Sequence, residues 1–360
     1  MTGRQNLRMG YTTGACAAAA AKAATIALLR QSAVAQIEIG LPAGKRVSFQ
    51  VSNCSFDENS ASCSIVKDAG DDPDVTDGAE IYASVAWQNK SGIEITGGKG
   101  VGVVTKPGLE VAVGRPAINP VPEQMIRESV AGAAGTLNGN GLAVIISVPR
   151  GEALSKKTLN PRLGILGGIS ILGTTGLVIP YSVNAYTACI SQSLDVAIAT
   201  GCREVVLTTG RRSEKFAQAE FKLAEECFIQ AGDFIGYSLE ECARKGIAKV
   251  RVWGMIGKIS KLAAGHMYTN VSDSLIDITF LSEVAKSSGL PDTISANLKD
   301  AVTANHFRKL LPSEYATAFG NRLCELAAHK CRETAGGKLE VECIMSDPAG
   351  AILGRAHASG

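Results

Sequence analysis

At residues 173–176 the chain reads Gly173-Thr174-Thr175-Gly176, a run that offers unhindered backbone N–H groups and two hydroxyls to an anionic or polar ligand. Lys156, Lys157 and Arg162 stand upstream around Asn160-Pro161, which puts fixed positive charge on the same stretch. Gly164, Gly167 and Gly168 are threaded through Ile and Leu between the two, a composition that suits neither an ordinary helix nor an ordinary strand. A buried glycine-rich crossover between domains, with solvated lysines, would read the same way.

Four other runs could do chemistry. Thr12-Thr13-Gly14 opens an alanine-rich helix, and its N–H groups could face an anion; a capped packing helix is the plainer reading. Residues 68–77 hold five aspartates in ten positions, so mutual repulsion should raise some carboxyl pKa values. That would suit the run to an acid–base role or to hold a divalent cation, although solvated loop acids explain it as well. No Glu closes the loop at the calcium-binding offset, so calcium is not expected. Gly97-Gly-Lys-Gly-Val-Gly102 carries Lys99 but lacks both the Walker spacing and a dinucleotide fingerprint, and a hairpin turn explains its glycines equally. Thr208-Thr209-Gly210 ends an apolar run and precedes Arg211 and Arg212.

Ten cysteines are scattered without a CxxC pair or a histidine at a ligand offset, so no structural zinc is expected and they read as small buried hydrophobes in a reducing cytosol. Cys16 lies in the first helical turn, where the helix dipole could lower its pKa, although close packing also calls for a small residue there. With 36 basic and 34 acidic side chains, net charge +2, a nucleic-acid binder relying on a global basic field is excluded. No secretory leader or membrane span is read, and a soluble, cytoplasmic protein is expected.

A chain of 360 residues divides most naturally into two domains. Alanines running to Leu29 predict a slim first helix, and strands are expected at 34–39, 46–51, 63–66 and 80–87 in an antiparallel sheet packed on it. A helix over 123–134 and a strand over 142–148 complete an α+β domain, residues 1–182. From 183 onward helices alternate with short apolar strands at 204–207, 227–229, 250–253 and 339–345, predicting an α/β, Rossmann-like parallel sheet over 183–360. Ligands of such sheets sit beyond the strand carboxyl ends, which singles out Thr208 to Arg212 and Gly254 to Lys258. Residues 349–360 are expected to fray.

The run KKTLNPRLGILGGISILGTTGLVIPYS at 156–182 closely resembles the signature of the cobalt-precorrin C-1 methyltransferases of the anaerobic cobalamin pathway, the CbiD family. Further blocks agree: GYTTGACAAAAAK at 10–22, KDAGDDPDVT at 67–76, TGGKGVG at 96–102 running on to INPVP at 118–122, and the weaker GKISKLAAG at 257–265. Two positions depart from the family's pattern, Asp77 and Asn270, where the family often has histidine.

The resemblance implies methyl transfer from S-adenosylmethionine to C-1 of cobalt-precorrin-5B, giving cobalt-precorrin-6A. Cobalt belongs to the substrate, and no protein metal site is implied. A tetrapyrrole bearing many carboxylates calls for basic donors spread around a wide cleft. Lys99, Lys106, Lys156, Lys157, Arg162, Lys258 and Lys261 are the candidates. Thr12, Thr13, Gly14 and the loop of Gly173, Thr174, Thr175 and Gly176 would hold carboxylates or the cofactor through backbone N–H groups. Asp71 and Asp72 would accept the proton, and Thr208, Thr209 and Gly210 would contact the methyl donor. The two domains are expected to meet along 156–182. Neighbouring pathway enzymes are further candidate partners. Two other readings are a nucleotide-dependent small-molecule kinase, which would need magnesium, and a non-catalytic corrinoid carrier, which would not bind S-adenosylmethionine.

Overall fold

A computed structural model describes residues 7–135, 141–271 and 273–359. The chain divides into two compact units, Met1–Val183 and Asn184–Gly360.

The first unit is built around helix α1 (Thr13–Arg30), capped by Thr12, whose side chain accepts from the Ala15 N–H. Every alanine from Ala15 to Ala27 is fully buried. Alanine serves here by its slimness: helix α2 (Pro120–Ala134) and the sheet both pack closely against α1. Strands β1 (Gln36–Gly40) and β2 (Arg46–Gln50) form a separate antiparallel pair. The main sheet contains β3 (Asn53–Phe56), β4 (Ser60–Val66), β5 (Glu80–Gln88), β6 (Gly92–Gly97) and β7 (Gly141–Ser147), in the order β3-β4-β5-β7-β6. Only its β7–β6 pair is parallel. Alternation along β5 sends Ile81, Ala83 and Val85 into the core shared with α1.

The glycine runs are close-approach points inside this unit. Gly100–Val101 pairs in parallel with Gly168–Ile169, and Gly100 has φ 77°. A Cβ on Gly100 would lie 1.8 Å from the Val148 carbonyl oxygen, and one on Gly151 or Gly168 would lie 2.0 or 2.1 Å from the Gly100 oxygen. Backbones can cross at this distance only without side chains.

The second unit begins along α3 (Val183–Ala199) and continues β8 (Glu204–Thr208), α4 (Arg211–Glu220), β9 (Phe228–Gln230), α5 (Ile235–Arg244), β10 (Lys249–Met255) and α6 (Ile256–Ala263). After α7 (Ile278–Ser287) and the long α8 (Ser313–Thr334), β11 (Glu340–Ser346) and β12 (Ile352–Ala358) complete a sheet of order β9-β8-β10-β11-β12. It is parallel through β11, with β12 antiparallel at the edge. Successive residues serve opposite faces: Val205, Leu207 and Val252 join the large core, whereas Val206 and Trp253 pack with Ala217 of α4. The expected fraying of residues 349–360 is wrong over 352–358. That segment pairs with β11 and packs on α8, and Ala358 is buried. Among the described residues no helix is long and apolar enough to cross a membrane.

Candidate functional site

In the first unit the 172–176 segment closes over the start of α1. The Thr12 N–H donates to the Gly176 carbonyl at 3.1 Å, Gly14 N–H to the Leu172 carbonyl at 3.0 Å, and Thr13 Oγ1 accepts from Leu172 N–H at 2.9 Å. Thr12 and Thr13 are buried. The reasoning that offered the Thr12 and Gly14 amides to a ligand is thereby corrected, since both are already engaged. The loop itself differs. Among the described residues the N–H groups of Gly173, Thr174, Thr175 and Gly176 find no acceptor, and both threonines are exposed. Gly173 has φ 128° and a Cβ there would meet the Thr12 side chain at 2.5 Å, so the loop's path depends on glycine.

Lys99, Lys156 and Lys157 are exposed, and Arg162 is half-buried. Lys106 Nζ donates to the Arg162 carbonyl at 3.4 Å. The Lys99 loop does not form an amide cradle. Gly98 N–H donates to Ile146, Val101 N–H to Gly98 and Gly102 N–H to Ile169, so its glycines serve the crossing described above.

The aspartate loop is tied down residue by residue. Asp68 pairs with Arg8, Asp71 accepts from the Arg8 N–H at 2.6 Å, Asp72 from the Tyr181 N–H at 2.9 Å, and Asp77 from the Ala69 N–H at 2.8 Å. Asp74 pairs at 2.8 Å with Lys67, a lysine whose side chain is only 1% exposed. The expectation that crowding raises carboxyl pKa values fails at two of these positions. The hydrogen bond from Arg8 lowers that of Asp68, and at Asp74 burial works upward but is outweighed by the charge and hydrogen bond of Lys67. Among the described residues no three His, Cys, Asp or Glu side chains gather as metal ligands. Cys16 is also corrected, because complete burial pushes its thiol up to about 12 and overrides any help from the helix terminus.

In the second unit, Thr208 is fully buried and its Oγ1 donates to the Ile229 carbonyl at 3.2 Å, so a direct contact between Thr208 and a ligand is corrected to a structural role. Gly210 precedes α4 in extended backbone, and its carbonyl accepts from Glu214 N–H and Ser213 Oγ at 3.0 and 2.8 Å. Its carbonyl is therefore already engaged by α4. Thr209 is half-buried, with its N–H on the Trp253 carbonyl.

Beyond the carboxyl ends of β9 and β10 lies a cluster that sequence reasoning assembled only in part. Lys258 Nζ bonds Asp233 Oδ1 and the Thr269 carbonyl, the latter at 2.9 Å. Buried Lys261 Nζ donates to the Thr269 carbonyl at 3.0 Å. Thr269 Oγ1 and Asn270 Nδ2 donate to Asp233 Oδ1 and Oδ2 at 3.0 and 3.2 Å. Burial works against ionised Asp233, yet the Lys258 bond prevails and its pKa is lowered. Burial and then the Lys258 charge lower that of Lys261. Asn270, which stands where histidine was expected, thus orients a carboxylate. Asp233 itself was missed. Its only signal is an acid following the second strand of the βαβ unit, roughly 20 residues after the Gly210 turn.

The family model described as CbiD matches residues 1–180, and the one described as CbiD, C-terminal domain, matches residues 268–357. A Geobacillus kaustophilus protein named cobalt-precorrin-5B C(1)-methyltransferase is 47% identical over 358 residues, covering 99% of this chain and 96% of its own. Proteins of the same name from Priestia megaterium and Leptospira interrogans are 45% and 44% identical, with 98% and 99% of this chain and 96% and 97% of their own lengths covered. The 1.9 Å crystal structure of the cobalamin biosynthesis protein CbiD from Archaeoglobus fulgidus is 31% identical, covers 73% of this chain and 82% of its own, and superposes with a TM-score of 0.40. With both family models matched in order and near full-length identity to these relatives, the chain belongs to the CbiD family.

Proposed function

We infer that this chain is the C-methyltransferase that acts on C-1 of cobalt-precorrin-5B, with S-adenosylmethionine as methyl donor and cobalt-precorrin-6A as product. The observation that carries the reading is identity of 47% across 99% of the chain to a relative bearing that name. The electron-rich C-1 attacks the sulfonium methyl in line; the new C–C bond forms as the S–CH3 bond breaks, S-adenosylhomocysteine departs, and the macrocycle loses a proton. Positioning and exclusion of water supply most of the acceleration. Asp71, which is exposed, is our candidate for the proton acceptor, with Asp72 beside it.

On this reading the substrate carboxylates are met by Lys99, Lys156, Lys157 and Arg162 and by the N–H groups of Gly173, Thr174, Thr175 and Gly176. Lys258 and Lys261 are committed to Asp233 and to backbone carbonyls, so we assign them to holding the second unit's cluster rather than to the tetrapyrrole. We read the second unit's sheet as Rossmann-like and place the methyl donor beyond the carboxyl ends of β8, β9 and β10, with Thr209 and Gly210 at its margin. A cytoplasmic location and neighbouring pathway enzymes as partners complete the proposal.

The kinase reading loses its support at residues 97–102, because the Gly98, Val101 and Gly102 amides that would cradle a phosphate there are bonded within the protein. Anaerobic incubation with radiolabelled S-adenosylmethionine and cobalt-precorrin-5B, with and without magnesium, tests the proposal. Magnesium-independent transfer of label to the macrocycle is expected. Binding of the tetrapyrrole without transfer would favour a corrinoid carrier and overturn the enzyme reading.

A further inference from the structure

Three aromatic rings crowd the Asp233 cluster. Phe234 lies with its ring centroid 5.0 Å from that of Tyr186 and 5.0 Å from that of Tyr268. Tyr186 and Tyr268 are 42% and 38% exposed, whereas Phe234 between them is half-buried. Exposed aromatic rings held against a third ring beside a half-buried polar cluster form a ready stacking surface. The backbone around them is fixed on two sides: Gly232 N–H donates to the Thr208 carbonyl at 3.1 Å, and Thr269 N–H to the Asp233 carbonyl at 3.0 Å. Gly236 N–H adds a bond to the Met267 carbonyl at 3.0 Å. Tyrosine, carboxylate and amide therefore sit on one rigid shelf, just past the β9 strand end.

The carboxylate has room for a further donor. Asp233 Oδ1 receives Lys258 and Thr269, but Oδ2 receives only Asn270 among the described residues, and a carboxylate oxygen accepts two bonds. An acid at this place in a βαβ unit is where a ribose hydroxyl finds its acceptor. We propose that the shelf of Tyr186, Phe234, Tyr268, Asp233 and Asn270 is an adenosine subsite, with the purine stacked on an exposed tyrosine and a ribose hydroxyl donating to Asp233 Oδ2. The inference deepens the placement of S-adenosylmethionine in the second unit and rests on it. Lys258 acts as a positioning residue that holds Asp233 ionised for the ribose, and the sulfonium lies away from its ammonium group.

The test is calorimetric titration of the full chain with S-adenosylhomocysteine, together with photolabelling by an azido-adenosyl analogue. Tyr268→Ala and Tyr186→Ala should each weaken binding by about tenfold, and Tyr268→Phe should restore it, because stacking needs the ring and not the hydroxyl. Asp233→Asn should also weaken binding by about tenfold and abolish the preference for S-adenosylhomocysteine over its 2′,3′-dideoxyribose analogue. Thermal unfolding followed by circular dichroism checks that each variant is folded; the exposed tyrosine variants keep the test sound if Asp233→Asn is not. Photolabel in residues 184–360 with unchanged affinity in both tyrosine variants would overturn the subsite while leaving the placement standing. Label in residues 1–183, or no measurable binding by the unaltered chain, would overturn both.

Discussion

Replacing Lys67 by methionine probes how the aspartate loop is held. The Lys67 ammonium is almost wholly buried and lies 2.8 Å from Asp74, whose side chain is 27% exposed. Methionine keeps the stem's volume and removes the charge, so the change opens little cavity and leaves Asp74 without its cation. Breaking a buried pair costs about 3–5 kcal/mol. Asp74 retains some water and two bonds from Thr76, N–H and Oγ1 each at 2.7 Å, which puts the expected loss at the lower end, about 3 kcal/mol. The sign with pH follows from the lowered pKa of Asp74. A carboxylate with a depressed folded pKa stabilises above its unfolded value of about 3.9 and loses that contribution as pH falls through the folded one. The Lys67→Met penalty should therefore be full at pH 7 and shrink below about pH 4. The chain's two tryptophans make the assay local: Trp87 lies in the first unit and Trp253 in the second, so urea unfolding in a Trp253→Phe background reports through Trp87. Lys67→Met combined with Asp74→Asn should recover most of the loss, because both charges are then gone. A single variant within about 1 kcal/mol of the parent, or a double variant no better than the single, would refute the reasoning.

Other consequences are as specific. Lys156→Ala or Arg162→Ala should weaken tetrapyrrole binding by about 1.5–3 kcal/mol per charged hydrogen bond lost while leaving S-adenosylhomocysteine affinity unchanged, as read by calorimetry; equal weakening of both ligands would remove these residues from the substrate site. Gly100→Ala puts a methyl group 1.8 Å from the Val148 carbonyl oxygen in a position of φ 77°, so the variant should collect in the insoluble fraction or lose several degrees in melting temperature, whereas Gly210→Ala, in extended backbone with open space, should melt like the parent. Cys16, with a thiol pushed up to about 12 and no solvent exposure, should resist alkylation at pH 8 in the native protein and react only on unfolding, as peptide mass mapping would show.

Much of the fold was legible because it is written in periodicity and composition. The alanine run could only be a slim helix needing close neighbours, and the alternation of apolar strands and helices from 204 onward led directly to a parallel sheet. The parts that were not legible depend on long-range pairing. Residues 92–97 lay outside the expected strands, yet they pair in parallel with β7, more than forty positions on. The edge strand 352–358 carries Gly354, Arg355 and His357, and its order comes from pairing with β11 and from the fit of Gly354 against Gly320 of α8, a contact no local pattern encodes. The site was half legible for the same reason. Glycines at 97–102 suggested a ligand, but they permit a backbone crossing; aspartates at 68–77 suggested repulsion, but each meets a donor, four of them from outside the run and Asp77 from Ala69 within it. Asp233 carried no motif. Its importance comes from Lys258, Thr269 and Asn270, brought to it by two separate stretches of chain.

The central claim, methyl transfer to C-1, is tested most directly by anaerobic turnover of cobalt-precorrin-5B with S-adenosylmethionine carrying a carbon-13 methyl group, followed by NMR of the isolated tetrapyrrole. The account predicts one new labelled methyl resonance coupled to C-1 and an equal amount of S-adenosylhomocysteine. A labelled methyl at another ring carbon, or recovery of unmodified substrate after incubation with the folded protein, would contradict it.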